Sequence, residues 1–255
     1  MLQGIFDTHA HYTDAAFQPD RDCVLAALPE KGVCGAINCG TDALSSRECM
    51  QLAEKYGYLY FAAGIHPEDC GGKPLSDLNE IETMLRHKKC VAVGEIGLDR
   101  HYPEPPEEVQ ALFFERQLQM ACAHGKPVIV HDREAHGLTM ELLRKYRPQG
   151  VLHCFSGSVE MMREALALGF YIGLGGAVTF KNAKRAAAVA KEVPAERLLL
   201  ETDCPYMAPV PFRGERNDSS LIAYTADFIA GLRGVDAQEL VNRCTKNAER
   251  LFFGA

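Results

Sequence analysis

No stretch of this 255-residue sequence approaches the roughly 18–20 consecutive apolar residues that cross a bilayer as a helix, which excludes a helical membrane span. The first residues, Met1-Leu2-Gln3-Gly4-Ile5-Phe6-Asp7, lack a basic segment followed by an apolar run, so they do not read as a secretory signal. The ten cysteines are scattered singly, with no C-x-x-C pair among them. Without export signals they read as reduced thiols, and the expected location is cytoplasmic. An excess of positive charge is also missing. The formal net charge is −7, so the chain does not resemble a protein that coats nucleic acid non-specifically, and a polyanionic substrate would need a local basic patch or bound metal. Low-complexity segments, short repeats and linkers are absent too, and one domain over residues 1–255 is the expected organisation.

What is present is an ordinary globular composition, 47% hydrophobic and 24% charged. A chain of this length buries roughly three-quarters of its unfolded surface and needs no disulfides. Short apolar runs suited to strands buried on both faces recur at residues 4–9, 34–39, 60–64, 91–95, 128–131, 151–153, 170–173 and 198–201. Helical periodicity lies between most of them. Residues 20–28 carry Val24, Ala27 and Leu28 on one face, and residues 107–124 carry Val109, Leu112 and Phe113. Residues 158–168 form another helix, stopped by Gly169. Further helices cover 221–232 and the tail, where Leu240, Cys244, Ala248 and Leu251 repeat. Eight such units predict an α/β fold, a (β/α)8 TIM barrel, with an open doubly wound sheet as the competing arrangement. Residues 101–106, with three prolines, should form an ordered loop over one barrel mouth. No exposed apolar stripe is evident, which suits a monomer with no obligate protein partner.

Six ligand-type residues fall at the predicted strand ends. His9 and His11 close the first strand in Phe6-Asp7-Thr8-His9-Ala10-His11, where alternation turns both imidazoles the same way and Ala10 the other. Such a pair alone is a weak sign of a metal. Glu95 closes the fourth strand, His131 the fifth and His153 the sixth, and Asp203 follows the eighth. In a barrel those ends converge on the face that carries chemistry. Six donors exceed the three or four that one zinc ion takes, so they suit two divalent ions with Glu95 bridging. Asp203 could also act as general base toward a water. The mixed nitrogen and oxygen donors admit zinc, manganese or magnesium.

The ordered set of motifs resembles the TatD family of metal-dependent deoxyribonucleases, within the amidohydrolase superfamily. It runs nearly end to end: the first-strand segment above, Gly64-Ile65-His66-Pro67, Gly94-Glu95-Ile96-Gly97-Leu98-Asp99, His131-Asp132-Arg133-Glu134-Ala135, His153-Cys154-Phe155-Ser156-Gly157-Ser158, Tyr171-Ile172-Gly173, Glu201-Thr202-Asp203-Cys204-Pro205-Tyr206 and Arg213-Gly214. The resemblance implies a metal-bearing barrel that hydrolyses phosphodiesters, typically of DNA. It further implies that His9, His11, Glu95 and Asp203 hold one ion and that Glu95, His131 and His153 hold the second. Cys204, where alanine or serine is more usual, and the 99–106 loop depart from the family pattern without removing a ligand.

Arg133, His66 and Arg213 are the candidate substrate contacts. Arg133 lies two residues past His131 and could fork onto a phosphate. Lys181, Lys184, Arg185, Arg213 and Arg216 could form a basic rim. No separate nucleophile–base set accompanies Ser156 or Cys154, and Cys204 reads as a packed residue. The competing functions are ester or amide hydrolysis, for instance of an aminoacyl-tRNA or a small metabolite, and metal binding without turnover.

Overall fold

The computed structural model describes residues 1–254. Eight strands, β1 (Ile5–Ala10), β2 (Val33–Cys39), β3 (Leu59–Ala63), β4 (Cys90–Asp99), β5 (Val128–Arg133), β6 (Gly150–Leu152), β7 (Tyr171–Leu174) and β8 (Leu198–Leu200), pair in parallel and in sequence order. The helices between and after them are α1 (Arg21–Ala27), α2 (Ala43–Lys55), α3 (Leu78–Met84), α4 (Glu107–His124), α5 (His136–Tyr146), α6 (Val159–Ala167), α7 (Lys184–Glu192), α8 (Ile222–Arg233) and α9 (Ala237–Phe253). This is the (β/α)8 barrel that the strand spacing predicts. No helix among the described residues is long and apolar enough to cross a membrane.

The strand runs read as continuously apolar because both faces are covered. Outward residues such as Val93, Val130 and Leu152 join the helices in one cluster. Inward residues such as Ile37, Ala62, Val91, Ile129, Val151 and Leu199 fill the barrel in another. Leu251 and Phe252 of α9 belong to the inner cluster, so α9 plugs the floor of the barrel, and Phe253 packs edge-on to Phe6 and Tyr60 there. Local signals set several helix starts. The Asp42 side chain accepts from Ser45 N in a capping box at α2, Ser158 caps α6 and Asp236 caps α9.

Two expectations need correction. First, the fourth strand does not end at Glu95; β4 runs on to Asp99, because pairing with β5 resumes from Ile96–Val130 to Asp99–Arg133 after a register shift. Gly97 makes this close approach possible: its φ is +149°, and a Cβ there would collide with the His131 carbonyl oxygen. Second, Leu112 of α4 faces solvent, and the buried stripe contains Gln110 and Gln117 instead. Each glutamine braces loop backbone. Gln117 accepts from Ile65 N at 2.7 Å and donates to Ile65 O at 3.0 Å. Gln110 accepts from Asp99 N at 2.8 Å and donates to the carbonyls of Asp99 and Pro105. Hydrophobic periodicity misses them because a buried amide is stable once both its ends are satisfied.

The seam between β1 and β8 has no ladder of its own. It closes through an isolated parallel bridge between Ala10 and Cys204 and through the carboxylate of Asp7. Fully buried Asp7 accepts from Thr202 N (3.0 Å), Thr202 Oγ1 (2.6 Å), Ser219 Oγ (2.7 Å) and its neighbour His9 N (3.2 Å). Tyr12 extends the network, its hydroxyl 2.6 Å from Ser219 Oγ. The first strand is thereby fixed to the segment that carries Asp203.

Candidate metal centre

The carboxylate of Glu95, buried in mid-β4, organises the mouth of the barrel. Its Oε2 lies 3.2 Å from His9 Nε2 and 3.4 Å from His11 Nε2. Its Oε1 lies 2.8 Å from His153 Nε2, 3.0 Å from His131 Nδ1 and 3.4 Å from His66 Nε2. Asp203 Oδ1 approaches His11 Nε2 at 3.4 Å and His9 Nε2 at 3.7 Å. All six sequence candidates therefore meet in one place, and the donors divide between the two oxygens of Glu95.

These spacings fit a metal. Donors bound about 2.0–2.2 Å from a tetrahedral ion stand roughly 3.3–3.6 Å apart; the 3.4 Å separations match this, His9 stands just outside it at 3.2 and 3.7 Å, and His153 and His131 sit closer to Glu95, at 2.8 and 3.0 Å. Three groups of histidines and carboxylates satisfy the proximity a metal needs: His9, Glu95 and His153; His9, His11 and Asp203; and His66, Glu95 and His131. Backing interactions then determine which ring nitrogen is free. His11 Nδ1 donates to the Cys39 carbonyl at 3.0 Å, leaving Nε2 to face the site. His131 Nε2 donates to Asp99 Oδ2 at 2.8 Å, leaving Nδ1. The Cys39 thiol sits 3.6 Å from His9 Nδ1, and Glu201 Oε1 sits 3.7 Å from His153 Nδ1. His66 is the exception. Its Nδ1 accepts from Glu68 N at 3.2 Å, so in the neutral ring Nε2 carries the proton and is a donor rather than a ligand.

Asp99, Cys39 and Glu201 escape the sequence reading. Asp99 and Glu201 did leave a signal: each is a carboxylate close in sequence to a ligand-type carboxylate at a strand end, Asp99 after Glu95 and Glu201 before Asp203. Cys39 left none. Glu201 is buried, receives the Cys154 N–H, and occupies space that a side chain at residue 173 would fill. Cys154 and Asp203 both have left-handed backbones, at φ 43° and 59°; Asp203 N is held by His9 O at 2.9 Å.

The charges are mutually supporting. Burial works against ionising Glu95, yet the imidazoles of His153, His66 and His9 hold it well below the usual carboxylate range. Burial opposes charge on His11 and His131, but hydrogen bonds that His11 donates to Asp203 and Glu95 push it up to about 10, and those that His131 donates to Asp99 and Glu95 push it up to about 9. Asp99 itself is held at about 2, burial notwithstanding, by the His131 bond. Substituting Asp99→Asn should therefore loosen His131 and weaken metal affinity about 10- to 100-fold, as a backing partner commonly does. Titration with a metal indicator checks this; unchanged affinity would remove Asp99 from that role.

The centre floors a cavity of about 730 Å3. Of the proposed substrate contacts, Arg133 and His66 line it. Arg133 makes no ion pair among the described residues, with Asp132 engaging His136 instead. Arg213 does not line it; its guanidinium lies 4.4 Å from the Phe180 ring centroid. Arg216 is committed to Asp20 by two 2.7 Å bonds. Cys204 is packed in the seam, and Ser156 and Cys154 lie along the cavity wall.

A (β/α)8 barrel with clustered histidines and carboxylates at the strand ends is an arrangement suited to metal-dependent hydrolysis. The family model for TatD related DNase matches residues 6–253. The chain is 38% identical to the uncharacterized metal-dependent hydrolase YabD of Bacillus subtilis, covering 97% of this chain and 98% of that one. It is 34% identical to the 3'-5' ssDNA/RNA exonuclease TatD of Erwinia billingiae, covering 97% and 98%. The crystal structure of YjjV, a TatD homologue of Escherichia coli, superposes with a TM-score of 0.92 at 33% identity over 97% of both chains. This chain belongs to the TatD family of metal-dependent hydrolases.

Proposed function

We propose that the chain is a phosphodiesterase acting on nucleic acid, with two divalent ions sharing Glu95. The observation that carries the reading is the division of donors between the two oxygens of that carboxylate: His9, His11 and Asp203 on one side, His131 and His153 on the other. Ions bound there would supply Lewis acidity toward a phosphoryl oxygen and an activated water. Nitrogen and oxygen donors suit zinc, manganese or magnesium. Asp203 lines the cavity and would take the proton of the attacking water. His66 and Arg133 line the cavity, and their N–H groups would donate to phosphate oxygens. The name carried by relatives such as the Erwinia protein supports a nucleic-acid substrate.

The test combines metal analysis of the purified protein with turnover of single-stranded DNA, double-stranded DNA, RNA and carboxylate esters, an aminoacyl ester among them. Metal-dependent cleavage of nucleic acid is expected, and Asp203→Asn should lower it about 10²- to 10⁴-fold. Turnover confined to the carboxylate esters would overturn the phosphodiester reading.

A further inference from the structure

Two large aromatic rings stand open to solvent at the same cavity. Tyr102, in the loop after β4, is 49% exposed, and Tyr206, after β8, is 55% exposed. Single exposed rings need no explanation, but two on the rim of one site do. Both are held in place. Tyr102 packs edge-on to His101, with ring centroids 4.8 Å apart, and the Arg133 guanidinium lies 5.6 Å from its own centroid. The Tyr206 hydroxyl donates to Asp14 Oδ2 at 2.8 Å. A ring that is fixed yet exposed is a preformed surface for another flat ring.

Their neighbours differ in charge. Beside Tyr102 is Arg133, the cavity's one arginine or lysine among the lining residues, and the adjacent Asp132 carboxylate is engaged by His136, whereas Asp14 and Glu68 line the cavity with Tyr206. A guanidinium next to an aromatic face accommodates a base and the phosphate attached to it. A carboxylate next to one accepts hydrogen bonds from sugar hydroxyls and base amino groups and repels a further phosphate.

Resting on the phosphodiester reading above, we propose that the two tyrosines are nucleobase subsites flanking the scissile phosphate. Tyr102 with Arg133 takes the nucleotide from which the strand continues. Tyr206 with Asp14 takes the terminal nucleotide, because the acidic wall leaves no favourable path for more backbone. Such stacking requires unpaired bases on either side of the phosphate.

The experiment compares kcat/KM for linear single-stranded oligonucleotides carrying either a normal base or an abasic analogue at the terminal or the penultimate position. Wild-type protein should prefer the normal base at both positions and should leave circular single strands intact. Tyr206→Leu should lose about 5- to 100-fold on the substrate with a terminal base and little on its abasic counterpart, while Tyr206→Phe, which keeps the ring, retains the preference. Tyr102→Leu should do the same at the penultimate position. A wild-type preference left unchanged by both leucine variants overturns the proposal, as does equal cleavage of circular strands. If the wild type cleaves no oligonucleotide but hydrolyses carboxylate esters, the phosphodiester reading falls and the subsites with it. Cleavage that ignores the tyrosines removes the subsites alone.

Discussion

Glu95→Gln is expected to strip metal from the protein and lower kcat/KM by about 10⁴-fold or more. The substitution barely alters side-chain volume, so the packing of β4 should survive it. What changes is charge. One carboxylate oxygen serves the His9–His11 side and the other serves His131 and His153, and an amide offers an acceptor to only one of them. A factor of 10⁴ corresponds to about 5.4 kcal/mol, the scale on which bound metal stabilises a charged transition state. The buried imidazoles would also lose the negative charge that compensates them, so the variant should unfold at a lower temperature without metal. His131→Ala makes the informative comparison, since it removes a donor from one side only and should leave part of the metal bound. Elemental analysis of the three proteins decides the matter. Full metal content and an undiminished rate in Glu95→Gln would refute a bridging role.

Metal affinity is expected to rise steeply with pH between about 6 and 9. Against the cost of burial, Asp203 and Glu95 push His11 up to about 10, Asp99 and Glu95 push His131 up to about 9, and Glu95 and Glu201 hold His153 well above the ordinary histidine value. At neutral pH these rings hold protons that an entering ion must displace. Each proton released adds about tenfold in apparent affinity per pH unit, so two or three give about 10²- to 10³-fold. Stability in the absence of metal should move the other way. Folded pKa values raised above the unfolded value near 6.5 contribute stability that is fully present below that pH and lost as pH climbs through about 9 to 10. The difference in Tm between metal-loaded and chelator-treated protein should therefore widen from pH 6 to 9. A gap that does not vary with pH would show that protons and metal do not compete for these groups.

Particular residues show why the site was more legible than its surroundings. His9, His11, Glu95, His131, His153 and Asp203 stood out because a charged or imidazole group at the end of an apolar run is costly without a partner. Asp99 and Glu201 obey the same logic, yet their partners are histidines rather than a shared centre, and only the folded geometry pairs them. The continuation of β4 beyond Glu95 was hidden because it depends on Gly97 approaching the backbone of His131, a tertiary contact without a local signature. Buried Gln110 and Gln117 fall outside the apolar periodicity for the same reason: what satisfies them lies on other elements. Arg213 and Arg216 looked like rim cations, and the fold gives them to Phe180 and Asp20.

The seam that Asp7 closes links the maturation of the centre to the order in which the chain is made. His9 and His11 emerge first and Asp203 almost two hundred residues later, yet all three share one cluster beside the junction that Asp7 ties. A nascent chain thus lacks Asp203, and a chain opened at the seam holds it apart from His9 and His11, however well the middle strands have formed, and loop closure over that separation comes late. Metal captured there would report a finished barrel and, binding only that state, would lock the two ends together against unzipping from the seam.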